Sequence, residues 1–324
     1  MKILITGSSG LIGRWVIDRL KKEDHQAIGL DKVPPQLPAN TSEHVICDIL
    51  DRTALLSNIR RVSPDAIIHL AARTDLDEAR NLSGYAANID GVRNIIEAVR
   101  QTSTIRRVIY TSSQLVCRIG YIPASDTEYC PDTLYGQSKV LTEKIVREEN
   151  GGGVEWCLTR PTTVWGPHMS LHYQNMLRLI RRGWYFHCSK GKLYKSYAYT
   201  GNIAYQYTRL LTAESSLMHR KTFYLADYKP LSLRDYADDL AREMGAHNIP
   251  TIPLTLAQFL AITGNILNIC GFRRFPFNSF RLKNILTEYI FNLSNTKVVC
   301  GPEPFTYEQS IKETAQWFLS LNEK

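Results

Sequence analysis

The sequence predicts an α/β protein: a Rossmann-like, doubly wound parallel sheet with a smaller C-terminal α/β substrate-binding lobe. Two observations carry this. Over the first 165 residues, short apolar runs alternate with amphipathic segments, and the runs are continuously apolar, as strands buried on both faces must be. The first run breaks at once into three glycines spaced by threes, Gly7, Gly10 and Gly13, where an amphipathic segment begins. Strand, helix and strand repeated in this way give a parallel sheet covered by helices on both sides.

The elements follow in order. KILIT (2–6) and AIGLD (27–31) read as strands around a helix from Leu11 to Lys22. A short strand in VICDI precedes the helical LDRTALLSNIR, and AIIHLAA (66–72) precedes a helix from Tyr85 to Gln101. RVIYTSS (107–113) and VEWCLTRP (154–161) complete the strands of this half. After about residue 167 the rhythm changes, and aromatic and basic residues dominate RRGWYFHCSKGKLYKSYAY (181–199). TFYLA (222–226) reads as a strand, Leu231 to Met244 as a helix, and Tyr307 to Leu321 as a last helix after the turn Gly301-Pro302-Glu303-Pro304. Two domains are expected, a dinucleotide-binding domain over 1–167 and a substrate-binding lobe over 168–324, with some interleaving. The apolar stretch 253–272 is interrupted by Gln258, Thr263, Gly264, Asn265 and Asn268, which argues against a spanning helix. It is expected to pack within the lobe, with peripheral membrane contact as the alternative.

At 324 residues the chain has ample length for a buried core, and 22% charged residues give a soluble, globular profile. Seven cysteines stand singly without metal-ligand spacing, so free thiols in a reducing compartment and no metal site are expected. The apolar run after Met1-Lys2 is too brief for a signal-peptide core, and a cytoplasmic location is expected. The net charge is +8, but the basic residues form only small clusters, Arg178, Arg181 and Arg182, and Arg273 and Arg274. Nothing in them resembles a nucleic-acid-binding motif.

A glycine-rich strand-to-helix turn lets the backbone approach a pyrophosphate, whose charge then lies at a helix N-terminus. Gly7 makes the turn, Gly10 permits the approach and Gly13 lets the helix close on the strand. Asp31 ends the next apolar run, where a carboxylate accepts from adenosine ribose hydroxyls and repels a 2′-phosphate, favouring NAD over NADP. Asp48 ends a further short strand, placed either to meet the adenine amino group or to cap the following helix. Tyr135 and Lys139 stand four apart, on one face of a helix, where an ammonium lowers the pKa of a neighbouring phenol. Ser113 stands at the end of a strand of the parallel sheet, where such sheets bind ligands and a hydroxyl can orient a substrate oxygen.

Taken together, TGSSGLIG, CDI, DAIIHLAA, NIDGVRNIIEA, YTSS, YGQSK and RPTTVWGP resemble, in order and nearly end to end, the extended short-chain dehydrogenase/reductase family. This group contains NAD-dependent sugar-nucleotide epimerases and dehydratases. The resemblance implies a catalytic set of Ser113, Tyr135 and Lys139, with Tyr135 as acid/base and Lys139 tuning it and holding the nicotinamide ribose. It implies NAD contacts at Gly7, Ser9, Gly10, Leu11, Ile12, Gly13, Asp31, Asp48, Ile49, Leu70, Ala71, Ala72, Asn88, Pro161 and Thr162. It also implies a homodimer formed through the helices at about 85–101 and 134–149.

The departures narrow the activity. Ser113-Gln114-Leu115 replaces the Thr-Asp-Glu of the dehydratases, so elimination of water is not expected. Val116-Cys117-Arg118 stands where epimerases commonly show Val-Tyr-Gly. The family's diphosphate-binding Arg-Asp-Phe appears as Lys195-Ser196-Tyr197, leaving Lys195 and Arg281, with Asn175, as the candidate substrate contacts beside Ser113. The expectation is an NAD-dependent 4-epimerase of a nucleotide-linked sugar, UDP-sugar favoured. A 4-ketoreductase, a 3β-hydroxysteroid-dehydrogenase-like oxidoreductase on an apolar alcohol, and a non-catalytic dinucleotide sensor are the alternatives.

Overall fold

The continuous apolar runs of the first half all become strands of one sheet. The computed structural model describes residues 1–35, 43–76, 81–269 and 277–321, the side chain of His172 excepted. The strands are β1 (Lys2–Thr6), β2 (Gln26–Asp31), β3 (His44–Ile46), β4 (Ala66–His69), β5 (Arg107–Thr111) and β6 (Glu155–Pro161). The short strands β7 (Thr163–Trp165), β8 (Tyr194–Lys195) and β9 (Tyr197–Tyr199) precede β10 (Thr222–Leu225) and β11 (Leu231–Ser232). Helices of the first half are α1 (Leu11–Lys22), α2 (Arg52–Val62), α3 (Ala86–Arg100) and α4 (Leu134–Glu148). Then come α5 (Leu171–Arg181), α6 (Thr200–Thr212), α7 (Ser215–Met218) and α8 (Leu233–Glu243). The last are α9 (Leu254–Ile269), α10 (Ser279–Leu286), α11 (Ser294–Cys300) and α12 (Tyr307–Ser320).

The seven-stranded sheet has the order β10-β6-β5-β4-β1-β2-β3, every neighbour parallel. Successive side chains of a strand face opposite ways. Leu4 accordingly joins a core with α2, α3 and α4, while Ile3 and Ile5 join a second core with α1 and α6. Each fully buried isoleucine contributes about 1.5–3 kcal/mol relative to exposure. The chain runs outward from β1 in both directions, so the carboxyl ends of β1 and β4 flank the switch point at which such sheets bind ligands.

The chain divides into two compact units, and neither is a consecutive half. The first comprises Met1–Val164, Ala198–Tyr228 and Phe291–Pro304; the second comprises Trp165–Tyr197, Lys229–Ile290 and Phe305–Lys324. The reason lies in the sheet: its edge strand β10 comes from beyond residue 167 and pairs with β6, Phe223 opposite Thr159. In the second unit β8 and β11 pair antiparallel, and Trp165 meets the Tyr236 ring edge-on at 5.0 Å.

Local details correct several expected boundaries. The helix expected from Leu231 begins two residues later, because Leu231 and Ser232 form β11 and the Ser232 hydroxyl caps α8 by accepting from Asp235 N. A 3₁₀ turn, Leu82–Tyr85, precedes α3. The six described cysteines are free thiols. Residues 270–272 of the apolar stretch, with Cys270, Arg273 and Arg274, lie outside the described residues. No described helix is long and apolar enough to cross a membrane.

Candidate active site

The glycine turn is closed by backbone contact. Gly7 has φ +70°, and a Cβ there would lie 2.6 Å from Ala71 N. A Cβ on Gly13 would lie 2.3 Å from Gly7 O, so the first turn of α1 can press on the loop only as glycine. Ala71 N donates to Thr6 Oγ1 and Leu70 N to Thr6 O, at 3.2 and 3.1 Å, which ties the ends of β1 and β4 together. Leu11 and Ile12 start α1 half-buried, and α1 has Gly10 at its N-cap with no side-chain cap and no acidic first turn. Its terminal N–H groups are therefore available to an anion.

Asp31 is pinned beside this turn. Its carboxylate accepts from Ser9 N at 3.0 Å and Val33 N at 3.2 Å. An ionised carboxylate has about four acceptor sites, so capacity remains for two ribose hydroxyls. Ser9 Oγ donates to Val33 O. Asp48 is exposed and accepts from Leu50 N at 2.9 Å, whereas Asp51 caps α2 by accepting from Ala54 N. The helix-cap alternative for Asp48 is thereby corrected. Ile49 is buried and its carbonyl accepts from Asn94 Nδ2.

The second cluster lies at the end of β5. Thr133 starts α4 by accepting from Gly136 N, which sets Tyr135 and Lys139 on the buried side of the helix. Lys139 Nζ donates to Thr111 O at 2.9 Å. Burial brings its pKa down to about 8, with Glu143, one turn further on, acting to raise it. Tyr135 departs from the sequence expectation. Burial pushes its pKa up to about 12, a hydrogen bond from Ser113 lowers it and Tyr85 raises it. Lys139 is not among the groups that move this phenol, and desolvation dominates. Ser113 Oγ also accepts from Leu115 N at 3.1 Å, which fixes its place at the start of a tight turn.

Asn88 serves this cluster by positioning. Its Oδ1 accepts from Arg73 N, and its Nδ2 donates to Arg73 O and to Ser138 Oγ, between Tyr135 and Lys139. Behind α4, Arg160 holds Glu143 with two 2.8 Å hydrogen bonds, both side chains fully buried. Pro161 and Thr162 are buried next to it, and Thr162 N donates to Leu225 O.

Three residues near these clusters escaped the sequence reading. Ser112 Oγ and Gln114 Oε1 are buried with no partner in the protein, on either side of Ser113. Unsatisfied buried oxygens are costly, and two of them at a strand end of the switch region fit a bound polar ligand. His69, at the end of β4, bonds Thr6 Oγ1 and is kept neutral, its pKa lowered to about 3 by burial and by Lys139. The run DAIIHLAA contained His69, but only the fold brings Lys139 near it.

The second unit treats its candidates differently. Lys195 is only 3% exposed, its ammonium donates to Asn284 O, and burial lowers its pKa to about 8. Asn175 is exposed and accepts from Arg178. Arg281 is half-buried in the first turn of α10 with its pKa lowered by burial. The tyrosine ring of residue 289 lies 5.4 Å from the Lys195 ammonium.

Residues 3–216 match the NAD dependent epimerase/dehydratase family. A 3-beta-hydroxysteroid dehydrogenase of Mycolicibacterium neoaurum is 25% identical over 99% of this chain and 92% of its own. The N-acetyl-alpha-D-glucosaminyl-diphospho-ditrans,octacis-undecaprenol 4-epimerase of Escherichia coli O157:H7 is 24% identical over 97% of this chain and 94% of its own. The solved UDP-glucose 4-epimerase of Thermotoga maritima with UDP-glucose superimposes with a TM-score of 0.75 at 18% identity, covering 99% of this chain and 100% of that one.

Proposed function

This chain belongs to the NAD dependent epimerase/dehydratase family, and from that premise we propose that it transfers hydride between NAD and a secondary ring alcohol. It is an NAD-dependent enzyme of the extended short-chain dehydrogenase/reductase type. The observation that carries the proposal is the buried set around Ser113, with Tyr135 beside it, Lys139 on the Thr111 carbonyl and two unpartnered oxygens at Ser112 and Gln114. The backbone-tight glycine turn and the pinned Asp31 fit the cofactor, with the α1 N-terminus for its pyrophosphate and Asp31 for its ribose.

NAD, when bound, supplies the hydride acceptor. For the alcohol to lose hydride, Tyr135 must first give up its own proton; as tyrosinate it then takes the hydroxyl proton, and a carbonyl is left. In the reverse direction Tyr135 returns the proton, which it holds firmly at neutral pH. Ser113 orients the substrate oxygen, and Lys139, with one donor on Thr111 O, would hold the nicotinamide ribose with the others.

For the substrate, the replacement of the family's diphosphate-binding arginine by Lys195 favours an apolar ring alcohol over a nucleotide-linked sugar. The lysine is buried, with one of its three ammonium donors on Asn284 O. The relative from M. neoaurum, named for a 3β-hydroxysteroid, supports this reading over nearly the whole chain. The second reading, a 4-epimerase of a diphosphate-linked sugar, is favoured by the E. coli relative of similar coverage. A homodimer through α3 and α4 and a cytoplasmic location complete the proposal.

The test offers the protein, with NAD, a panel of 3β-hydroxysterols and of UDP-, GDP-, dTDP- and CDP-sugars. Accumulation of reduced nicotinamide with a sterol supports the first reading. Interconversion of a sugar with its 4-epimer and no net reduction would replace it by the second. If neither class turns over or shifts the melting temperature, hydride transfer on these substrates is wrong.

A further inference from the structure

Helix α9 of the second unit is built inside out. Ala257, Ala261 and Gly264 are its buried residues, the two alanines packed with Cys188 and Leu282. Asn265 faces α10, its Nδ2 donating to Ser279 Oγ at 2.8 Å. The large side chains point the other way: Leu256, Phe259, Ile262, Ile266 and Ile269 are exposed, Phe259 by 65% and Ile269 by 84%. Their spacing of three and four places them along one face. On α10, Phe280 is exposed as well. A surface helix ordinarily buries its apolar stripe, and one that is apolar on both sides belongs in a large core or against lipid. A contiguous row of this kind marks an interaction surface.

The charges of the segment that carries this face point to its occupant. No Asp or Glu occurs between Glu243 and Glu288, while Arg273, Arg274, Arg281 and Lys283 all do. Lys283, in α10, is exposed. A segment that joins an exposed apolar row to basic side chains and to no acidic ones complements an anionic lipid surface, where acyl chains take the apolar side and headgroups the charge. At about 24 Å the helix is shorter than the roughly 30 Å hydrocarbon core, so it lies in the interface and does not cross. Pairing with the same face of a second copy would instead bring like charges together with no carboxylate from this stretch to offset them.

We propose that the outer face of α9, with Phe280, docks this protein on the surface of an anionic membrane. The docking does not depend on the catalytic reading, and its test reads binding alone. Full-length protein with NAD is floated with vesicles of phosphatidylcholine, with and without phosphatidylglycerol. The expected result is flotation with the anionic vesicles only, weakened by added salt. Replacing Phe259, Ile266 and Ile269 together by serine should reduce it about tenfold or more, and Lys283→Glu should reduce it several-fold, both with unchanged melting temperature because the residues are exposed. Tyr135→Phe should float as the unaltered protein does, so a failure of the catalytic reading leaves the docking intact. Three results would overturn the proposal: no flotation of the unaltered protein, equal flotation of the serine variant, or a lipid-free dimer in sedimentation that the serine variant dissolves.

Discussion

The end of β5 and the outer face of α9 invert each other. Around Ser113 the polar groups are buried, and nearly all are answered by another group of the same unit. Along α9 the apolar groups are exposed, and the described residues of their unit leave them uncovered. Each arrangement is costly unless something from outside completes it. The contrast teaches that the two units hold different kinds of information: one fixes atoms for chemistry, the other offers a surface.

Changes that attack the first arrangement should cost most. Glu143→Ala leaves Arg160 buried without its bidentate partner, and a loss of about 3–5 kcal/mol is expected in urea unfolding. The same substitution removes the group that raises Lys139, so any surviving activity should lose its alkaline limb at lower pH. Gly13→Ala comes next. Its Cβ would lie 2.3 Å from Gly7 O, and about 1–3 kcal/mol of stability together with NAD affinity should be lost, read by melting with and without NAD.

The motifs of the first unit were legible because their constraints are local. A glycine at position 7 or 13 is required by the backbone beside it, and Lys139 follows Tyr135 by one helical turn. What they touch was not legible. That Lys139 would be held by the Thr111 carbonyl, or that burial would outweigh any cation on Tyr135, depends on strands far away in sequence. Asp48 and Asp51 are both plausible caps three residues apart, and only the turn geometry separates them. Within 253–272 the hydropathy indicated the apolar helix found over Leu254–Ile269, but its sum cannot tell which side is inward. Ala257 and Ala261 went in, packed with Leu282 of α10. Lys195 stands where the family has arginine, but its burial and its bond to Asn284 O were not legible.

Two smaller effects sharpen the comparison. Lys195→Met in the second unit should alter stability by no more than about 1 kcal/mol, because Asn284 O still accepts from Thr287 N. A large rise in KM for a nucleotide sugar would instead restore Lys195 as a diphosphate contact. In the first unit, Glu303 is raised from 4.5 to about 8 by burial and by Asp227. The folded protein therefore holds a proton that the unfolded chain releases between those values, and this contribution to stability is lost as pH rises through the window. Glu303→Gln carries no such proton, so its melting temperature should gain on the unaltered protein from pH 5 to pH 8. Parallel curves would show that Glu303 does not titrate there.

The central claim is that Tyr135 exchanges the substrate proton in an NAD-dependent hydride transfer. Single-turnover formation of reduced nicotinamide by Tyr135→Phe, with NAD binding measured separately, tests it most directly. The expected result is unchanged NAD affinity with the rate lowered by about 10²–10⁴-fold. Reduction at the unaltered rate, with NAD bound equally well, would contradict it.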